Sequence, residues 1–332
     1  MKGIRMQGGI PLQGKVRIQG SKNAALPILA ATLLTNEVSY IQNCPRIADV
    51  HRFVHLLREL GCLVHWQEKG IRVQPGENEE LPCERAEARR MQGEAITGMR
   101  SSLCLLGALL GRCGYVTMEH PGGCVIGERP IDLHIRALQQ MGVEFRKEEG
   151  LLSAQVKDGK MHGAEITLEF PSVGATENIL LAAVKADGDT RILGAAREPE
   201  VTALCEFLTA CGAQIEGIGG SELLVHGDRP LHSTRYTVPS DRIVAGTYLF
   251  ACIGWRQCTF DRGSLGADGS GDLCGGKNGC TVYHLGGRSV RTVFQKTAGH
   301  TVFTDRTLPG VSHGSAVGGN GGADESGRMQ LH

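Results

Sequence analysis

The chain has 332 residues, enough for two domains of ordinary size, and its 35 Lys plus Arg residues balance its 35 Asp plus Glu residues. A net charge of zero gives no support to nucleic acid or a membrane surface as the main partner. The sequence has no apolar run of membrane-spanning length. Because the N-terminal stretch MKGIRMQGGIPLQGKV lacks an apolar signal core, we expect a cytoplasmic protein.

The 12 cysteines favour buried thiols in a reducing compartment over a disulfide framework. Several lie inside apolar helix patterns, namely Cys104, Cys205, Cys211 and Cys252. Aromatic residues make up only 5% of the chain, so the core must be built mainly from aliphatic side chains and Ala.

The same order of helices and strands is predicted three times along the chain. The first copy has a small-residue helix from Ser21 (SKNAALPILAATLLT), a strand (VSYIQN), an amphipathic helix (ADVHRFVHLLREL) and a strand (CLVHWQ). The second copy has MRSSLCLLGALLGRC, YVTMEH, PIDLHIRALQQM and VEFRKE, and the third has VGATENILLAAVKA, TRILGA, PEVTALCEFLTAC and AQIEGI. Each amphipathic helix ends on a glycine C-cap: Gly61, Gly142 or Gly212. These intervals of 81 and 70 residues predict a domain of three repeated helix-and-strand units.

A fourth copy begins at Ser240 with SDRIVAGTYLFACI, but its periodicity ends at Ile253. Of the 78 residues from 255 to 332, 17 are glycine, and no clear amphipathic helix pattern occurs, so we expect this segment to be disordered. Four of its residues suggest a zinc site, but their spacings fit no strong metal pattern, and we expect no metal. They are Cys258, Cys274, Cys280 and His284.

The stretch HPGGCVIGERPIDLH, residues 120–134, places Cys124 among flexible residues. Glycines on both sides leave its sulfur uncovered. Arg129 is near enough in a folded loop to favour the thiolate or to hold an anion. Pro130 suits the first position of the following helix, whose free N–H groups form a further anion site. From these residues alone, Cys124 is either a reactive thiol or an incidental cysteine in a surface turn.

Six stretches together resemble the enolpyruvyl transferase family: GSKNAALPILAATLL, MRSSLCLLGALL, PGGCVIGERPIDLHI, SVGATENILLAA, AAREPEV and SDRIVAGTYL. The cysteine loop separates this branch of the family from the shikimate-pathway branch, which lacks it. The resemblance implies an α/β fold, an inside-out α/β barrel of three repeated helix–strand units, with an incomplete second domain. We expect domain one at 21–235, a strand segment of domain two at 1–20, and the start of domain two at 236–253.

The resemblance implies transfer of the enolpyruvyl group of phosphoenolpyruvate to the 3'-hydroxyl of UDP-N-acetylglucosamine, the first committed step of peptidoglycan synthesis. Cys124 matches the general acid that protonates carbon 3 of the enol, and the residue that fosfomycin alkylates. Lys22 and Asn23 match the phosphoenolpyruvate-binding pair, and Arg129 also faces that phosphate. No cofactor is implied, and the expected partners are the two substrates.

The remaining implied site residues hold the nucleotide sugar: Arg100, Arg129, Pro130, Ile131, Asp132, Leu133, Ser172, Val173 and Gly174. Two positions depart from the family pattern. Phe170 stands where members often have Lys, and Ala48 stands where some members have Lys. Asp241 and Arg242 match a pair at the domain hinge. Without the resemblance, we would interpret them as the N-cap and first turn of a helix.

The residues after Gly254 look out of frame. The family carries a PGFPTD motif in its second domain, and this reading frame does not contain it. Written in suitable codons, residues 307–317 (TLPGVSHGSAV) become PYPGFPTDLQ when one base is dropped, and residues 254–258 become AGGNV in the same shifted frame. We therefore predict that the frame slips near Gly254 and that this chain is inactive. The alternatives are a non-catalytic nucleotide-sugar-binding remnant, or a sequence error that conceals an intact enzyme.

Overall fold

Three apolar helices form the centre of the fold. The computed structural model describes residues 16–76, 90–119, 131–148, 150–157 and 159–254, and five short strands between 272 and 302. The central helices are α1 (Lys22–Ala31), α4 (Cys104–Cys113) and α6 (Val173–Ala183). All residues at 24–31, 104–110 and 175–183 are buried. These sequences consist mostly of small and apolar residues, which is typical of a helix packed on all its faces.

Three four-stranded sheets lie around these helices, with the orders β13-β2-β4-β3, β5-β6-β8-β7 and β11-β12-β10-β9. The strands are β2 (Ser39–Gln42), β3 (Leu63–Gln67), β4 (Gly70–Gln74), β5 (Arg90–Met91), β6 (Tyr115–Glu119), β7 (Val143–Glu148), β8 (Leu151–Val156), β9 (Glu165–Thr167), β10 (Asp189–Leu193), β11 (Gln214–Glu216), β12 (Glu222–His226) and β13 (Arg235–Thr237). Helices inside and sheets outside give the inside-out α/β architecture that was expected.

One parallel strand in each sheet links the three units into a ring. Strand β5 follows the first unit and pairs in parallel with β6 of the second unit. Strand β9 follows the second unit and pairs in parallel with β10 of the third unit. Strand β13 then returns to β2, where Tyr236 lies opposite Ile41. The third unit is therefore hydrogen-bonded to the first. The predicted domain boundary at residue 235 falls on the first residue of this closing strand, and the domain limits themselves stay a prediction.

The amphipathic helices are α2 (Ala48–Glu59), α5 (Asp132–Gln140) and α7 (Pro199–Ala210). The glycines after them have positive φ angles, 92° at Gly61, 88° at Gly142 and 101° at Gly212, which confirms the predicted left-handed caps. At Gly61 the N–H donates to Arg58 O, and the next N–H, of Cys62, donates to Leu57 O.

Two predicted helices have different starts in the structure. The helix predicted from Met99 begins as a 3-10 turn, Arg100–Leu103, before α4. The helix predicted from Pro130 begins at Asp132, with Ile131 as its N-cap. Pro130 itself lies outside the described residues. The structure also has a 3-10 turn at Thr32–Leu34 and a short helix α3 at Glu94–Thr97.

Two segments far apart in sequence cross beside the beginning of α1. Ser21 N–H donates to Pro239 O at 2.7 Å, and Asp241 N–H donates to Gln19 O at 2.9 Å, on either side of an antiparallel bridge between Gly20 and Ser240. This crossing leads into α8 (Arg242–Gly254). The short strands pair as β1 (Val16–Arg17) with β14 (Asp272–Leu273), β15 (Thr281–Val282) with β16 (Thr292–Val293), and β17 (Gln295–Thr297) with β18 (His300–Val302).

The described cysteines have free thiols, and all but the half-buried Cys113 are buried. Burial raises the pKa of Cys205 and Cys211 to about 12. These observations agree with the prediction of buried thiols in apolar helices. The side chain of Cys252 lies outside the described residues.

Candidate functional site

A cavity of about 920 Å³ lies where several helices begin. The first residues of α1, of the 3-10 turn at Arg100–Leu103, of α5 and of α6 all line it. Helix N-termini carry unpaired N–H groups and a partial positive charge, so their convergence favours an anionic occupant. The predicted site residues along its wall are Lys22, Asn23, Arg100, Asp132, Leu133, Ser172, Val173 and Gly174.

Lys22 is held at the start of α1 by its neighbours. Ser21 caps this helix, with Oγ accepting from Ala24 N–H at 3.4 Å. The Lys22 Nζ atom lies 2.9 Å from Asp49 Oδ2, and both side chains are partly exposed to the cavity side. Such an exposed ion pair contributes little to stability, so Lys22 can exchange Asp49 for a bound anion at small cost.

The loop before α6 forms another part of the cavity wall. Ser172 Oγ accepts from Ala175 N–H at 3.4 Å, and Thr176 Oγ1 donates to Ser172 O at 2.8 Å. Phe170 also lines the cavity and is 57% exposed, so the position where the family often has a cation presents an uncharged aromatic ring here. Val173 and Gly174 begin the helix and have N–H groups available to an occupant.

Asp132 and Leu133 approach the cavity from α5. Arg136 donates a hydrogen bond to Asp132 and a second one to Glu169 at 2.6 Å. The hydrogen bond from Arg136 lowers the pKa of Asp132, so this carboxylate stays ionised. Ile131 differs from its neighbours, because its side chain is buried in the core and is not among the cavity-lining residues.

Three predicted site residues, Cys124, Arg129 and Pro130, lie outside the described residues. The described chain stops at Glu119, the last residue of β6, and resumes at Ile131 beside the cavity. Their proposed roles therefore stay predictions from the sequence. Within the described residues there is no group of three or more side chains suited to a metal ion. None of the helices described is long and apolar enough to cross a membrane.

Sequence reasoning missed a group of buried polar side chains on the cavity wall. Glu177 is fully enclosed, and burial raises its pKa to about 8, so it is mostly protonated at neutral pH. Its Oε2 atom lies 3.5 Å from Cys104 Sγ, whereas Oε1 has no partner within the described residues. Glu200 is nearby and pairs with Arg242 at 3.1 Å. The signal was present in the sequence, because Glu177 and Asn178 interrupt the apolar helix VGATENILLAA.

Comparison with known families gives one match that covers most of the chain. The family model for EPSP synthase (3-phosphoshikimate 1-carboxyvinyltransferase) matches residues 6–257. The matched range ends close to Gly254, where the resemblance of the sequence to the enolpyruvyl transferases also ends.

Two curated relatives carry the name UDP-N-acetylglucosamine 1-carboxyvinyltransferase. The protein of Oleidesulfovibrio alaskensis is 42% identical over 252 residues, which are 76% of this chain and 58% of the relative. The second relative is UDP-N-acetylglucosamine 1-carboxyvinyltransferase 2 of Caldanaerobacter subterraneus. It is 44% identical over 250 residues, which are 75% of this chain and 57% of the relative. The chain thus spans somewhat more than half the length of the curated relatives it matches.

Solved structures show the same fold at low sequence identity. The enolpyruvyl transferase NikO from Streptomyces tendae superposes with a TM-score of 0.62 and 23% identity, covering 74% of this chain and 56% of that one. EPSP synthase from Acinetobacter baumannii superposes with a TM-score of 0.53 and 18% identity, covering 71% of this chain and 52% of that one. The chain therefore shares the inside-out α/β fold of these proteins.

Proposed function

The chain belongs to the EPSP synthase (3-phosphoshikimate 1-carboxyvinyltransferase) family, and on this premise we propose that its cavity binds the nucleotide sugar of an enolpyruvyl transfer reaction. The reaction moves the enolpyruvyl group of phosphoenolpyruvate to the 3'-hydroxyl of UDP-N-acetylglucosamine. The names of the two curated relatives support this choice of acceptor. The product is a precursor for peptidoglycan, and a cytoplasmic location stays a prediction from the sequence.

The observation that carries this proposal is the convergence of helix N-termini on one cavity. Both substrates are anions, and the cavity has Lys22 and Arg100 on its wall together with the N-termini of α1, α5 and α6. Helix N-termini and cations held in place by the fold stabilise phosphate with little rearrangement. We assign phosphoenolpyruvate to Lys22 and Asn23, and the UDP group to the α5 and α6 side.

The chemistry proceeds by addition and elimination. In the addition, carbon 3 of the enol gains a proton from the Cys124 thiol while the sugar oxygen bonds to carbon 2 and passes its own proton to a base, the Asp of the family's PGFPTD motif. In the elimination, carbon 3 returns a proton to the Cys124 thiolate and the bond from carbon 2 to the phosphate oxygen breaks, which releases phosphate. Cys124 is the proposed acid because a thiol in a flexible loop beside Arg129 is suited to proton transfer. No cofactor takes part.

For this particular chain, we propose binding of the nucleotide sugar without turnover. The second wall of the family's cleft carries the PGFPTD motif, and the sequence of this chain does not contain that motif. Catalysis by positioned groups needs both walls of the cleft. A non-catalytic binding remnant is therefore the second candidate function, and the end of the family match at residue 257 favours it.

One preparation of the full chain tests both candidates. Calorimetry with UDP-N-acetylglucosamine measures binding, and release of inorganic phosphate in the presence of both substrates measures turnover. We expect saturable binding that Arg100→Ala weakens, with no phosphate released. The matched control is Arg146→Ala, which removes the same charge from an exposed position on β7. Phosphate release by the purified chain would contradict the remnant, and absence of binding would contradict the proposed site.

A further inference from the structure

His134 lies on the cavity wall in the first turn of α5. The residue is only 5% exposed, yet it lines the cavity next to Gly174 at the start of α6. A histidine enclosed to this degree needs hydrogen-bond partners that fix its ring. Its Nδ1 atom has one, at 3.0 Å from Nδ2 of Asn178.

The orientation of the Asn178 amide is determined by the backbone of α4. Its Oδ1 atom accepts a hydrogen bond of 2.7 Å from the N–H of Gly107, so the opposite end of the amide must be the NH₂ group. That NH₂ group donates to Gly174 O at 3.3 Å and faces His134 Nδ1. Because Asn178 presents a donor, Nδ1 of the imidazole must be the acceptor. The ring proton of His134 is therefore on Nε2.

The surroundings also keep the imidazole neutral. Burial and, to a smaller extent, the charge of Arg100 lower the pKa of His134 to about 4, against an opposing effect of Asp132. At neutral pH the ring therefore has one N–H group, on Nε2. This donor differs from Lys22 and Arg100 because it carries no charge and does not depend on pH near neutrality.

His134 is one of the residues that line the cavity, and the Nε2 side of its ring lies beside the start of α6. A Cβ atom at position 174 would lie 3.1 Å from His134 Cε1 and 3.5 Å from Nε2, so only a glycine at this position leaves room next to the ring. Nε2 has no hydrogen-bond partner within the part of the chain that the structure describes. Among the described residues, four side-chain polar atoms are fully enclosed and lack a partner: Ser39 Oγ, Glu177 Oε1, Thr190 Oγ1 and Ser240 Oγ. The Nε2 atom of His134 does not belong to this group.

From this geometry we propose that His134 is a further binding residue, whose Nε2–H donates a hydrogen bond to a diphosphate oxygen of the nucleotide. The inference rests on the proposed function, since it concerns the same cavity. A phosphate oxygen is the acceptor that fits best, because Nε2 lies beside the N-terminus of α6 and the cation of Arg100 lines the same cavity. Asn178 acts as the positioning residue, because its amide determines which ring nitrogen carries the proton.

Titration of the full chain with UDP, UDP-N-acetylglucosamine and uridine tests this proposal. For His134→Leu we expect affinity for UDP to fall about tenfold, the effect of one hydrogen bond to a charged group, with binding of uridine unchanged. His134→Gln retains an N–H donor of similar reach and should keep most of the affinity. Equal affinity of wild type and His134→Leu for UDP overturns the proposal while the proposed function stands. Failure of the wild type to bind any of the three ligands overturns both, and a loss for uridine as large as for UDP assigns the contact to the nucleoside instead.

A second measurement does not depend on whether the variants fold. In the wild-type protein, long-range proton–nitrogen NMR distinguishes the two imidazole tautomers. We expect the Nε2–H form for His134 at pH 7, and a downfield shift of this proton when UDP is added. The Nδ1–H form, an imidazolium, or an unshifted Nε2–H signal at saturating UDP contradicts the proposal.

Discussion

The carboxylate of Asp241 joins the beginning of α8 to the backbone of Lys22 at the beginning of α1. Its Oδ2 atom accepts from Lys22 N–H at 3.2 Å, and its Oδ1 atom accepts from the N–H groups of Ile243 and Val244 at 2.9 and 3.1 Å. Asp241 is buried, so it meets the donors of two helices where water cannot replace it. The crossing that leads into α8 is thus tied directly to the first residue of the cavity wall.

Removal of this carboxylate should destabilise the protein. For Asp241→Ala we expect a loss of about 1–2 kcal/mol in the free energy of unfolding, since the α8 cap and the bond to Lys22 N–H both disappear. Urea unfolding followed by circular dichroism measures it. The matched control is Glu144→Ala, which removes an exposed carboxylate paired with Lys157 and should cost much less. Equal losses for the two variants would contradict the role given to Asp241.

Two helical glycines should respond to alanine in opposite directions. A Cβ at Gly107 in α4 would lie 2.3 Å from Asn178 O of the neighbouring helix, whereas a Cβ at Gly246 in α8 meets nothing within 4 Å. We expect Gly107→Ala to destabilise by about 1–3 kcal/mol through forced separation of α4 and α6. Gly246→Ala should stabilise by up to about 1 kcal/mol through helix propensity. Thermal melting checks the pair, and a stable Gly107→Ala variant would show that these helices are not in close contact.

Glu177 should make stability depend on pH between about 4.5 and 8. Its pKa in the folded chain is raised from 4.5 to about 8, chiefly by burial, so the folded state holds a proton that the unfolded state releases. We therefore compare the free energies of unfolding of the wild type and Glu177→Gln. The difference should favour the wild type most below pH 4.5, and it should shift against the wild type as the pH rises towards 8. The expected slope is about 1.4 kcal/mol per pH unit at most.

Melting temperatures of wild type and Glu177→Gln at pH 5.5, 6.5 and 7.5 measure this slope. The control is Glu206→Gln, at an exposed position of α7. Parallel pH profiles for the wild type and Glu177→Gln would show that Glu177 has no raised pKa in the folded chain.

The buried thiols should resist alkylation in the native protein. Burial raises the pKa of Cys44 and Cys62 to about 12, and the same cause raises that of Cys104 well above its usual value. At pH 7.5 the thiolate fraction then falls on the order of a thousandfold below that of an ordinary cysteine. Iodoacetamide labelling with peptide mass spectrometry should modify these sites only in urea, whereas the half-buried Cys113 reacts earlier. Native labelling of Cys104 at the rate of Cys113 would contradict this.

Much of the fold was predictable because its signals are local. The three-unit order follows from the alternation of small-residue and amphipathic helices, and the caps at Gly61, Gly142 and Gly212 follow from one residue type each. The return of β13 to β2 was not predictable in this way. It joins residues nearly two hundred positions apart through a strand of three residues, and so short a strand has no periodicity of its own.

The site residues also fall into two groups, those recognised from the sequence and those found only from the structure. The motifs around Lys22, Arg100 and Ser172 were recognised by resemblance, and their residues line one cavity. The pair of His134 and Asn178 was missed, because each lies within a pattern that was explained by helix packing alone. Only the distance between their side chains indicates that a tautomer is fixed there.

We infer that this chain keeps a nucleotide-sugar site between the N-termini of α5 and α6. A crystal structure of the full chain soaked with UDP-N-acetylglucosamine shows where the nucleotide binds. We expect the diphosphate beside Gly174 and Arg100, with an oxygen within hydrogen-bond distance of His134 Nε2. A nucleotide bound elsewhere, or an empty cavity at a concentration that saturates the calorimetric titration, would contradict it.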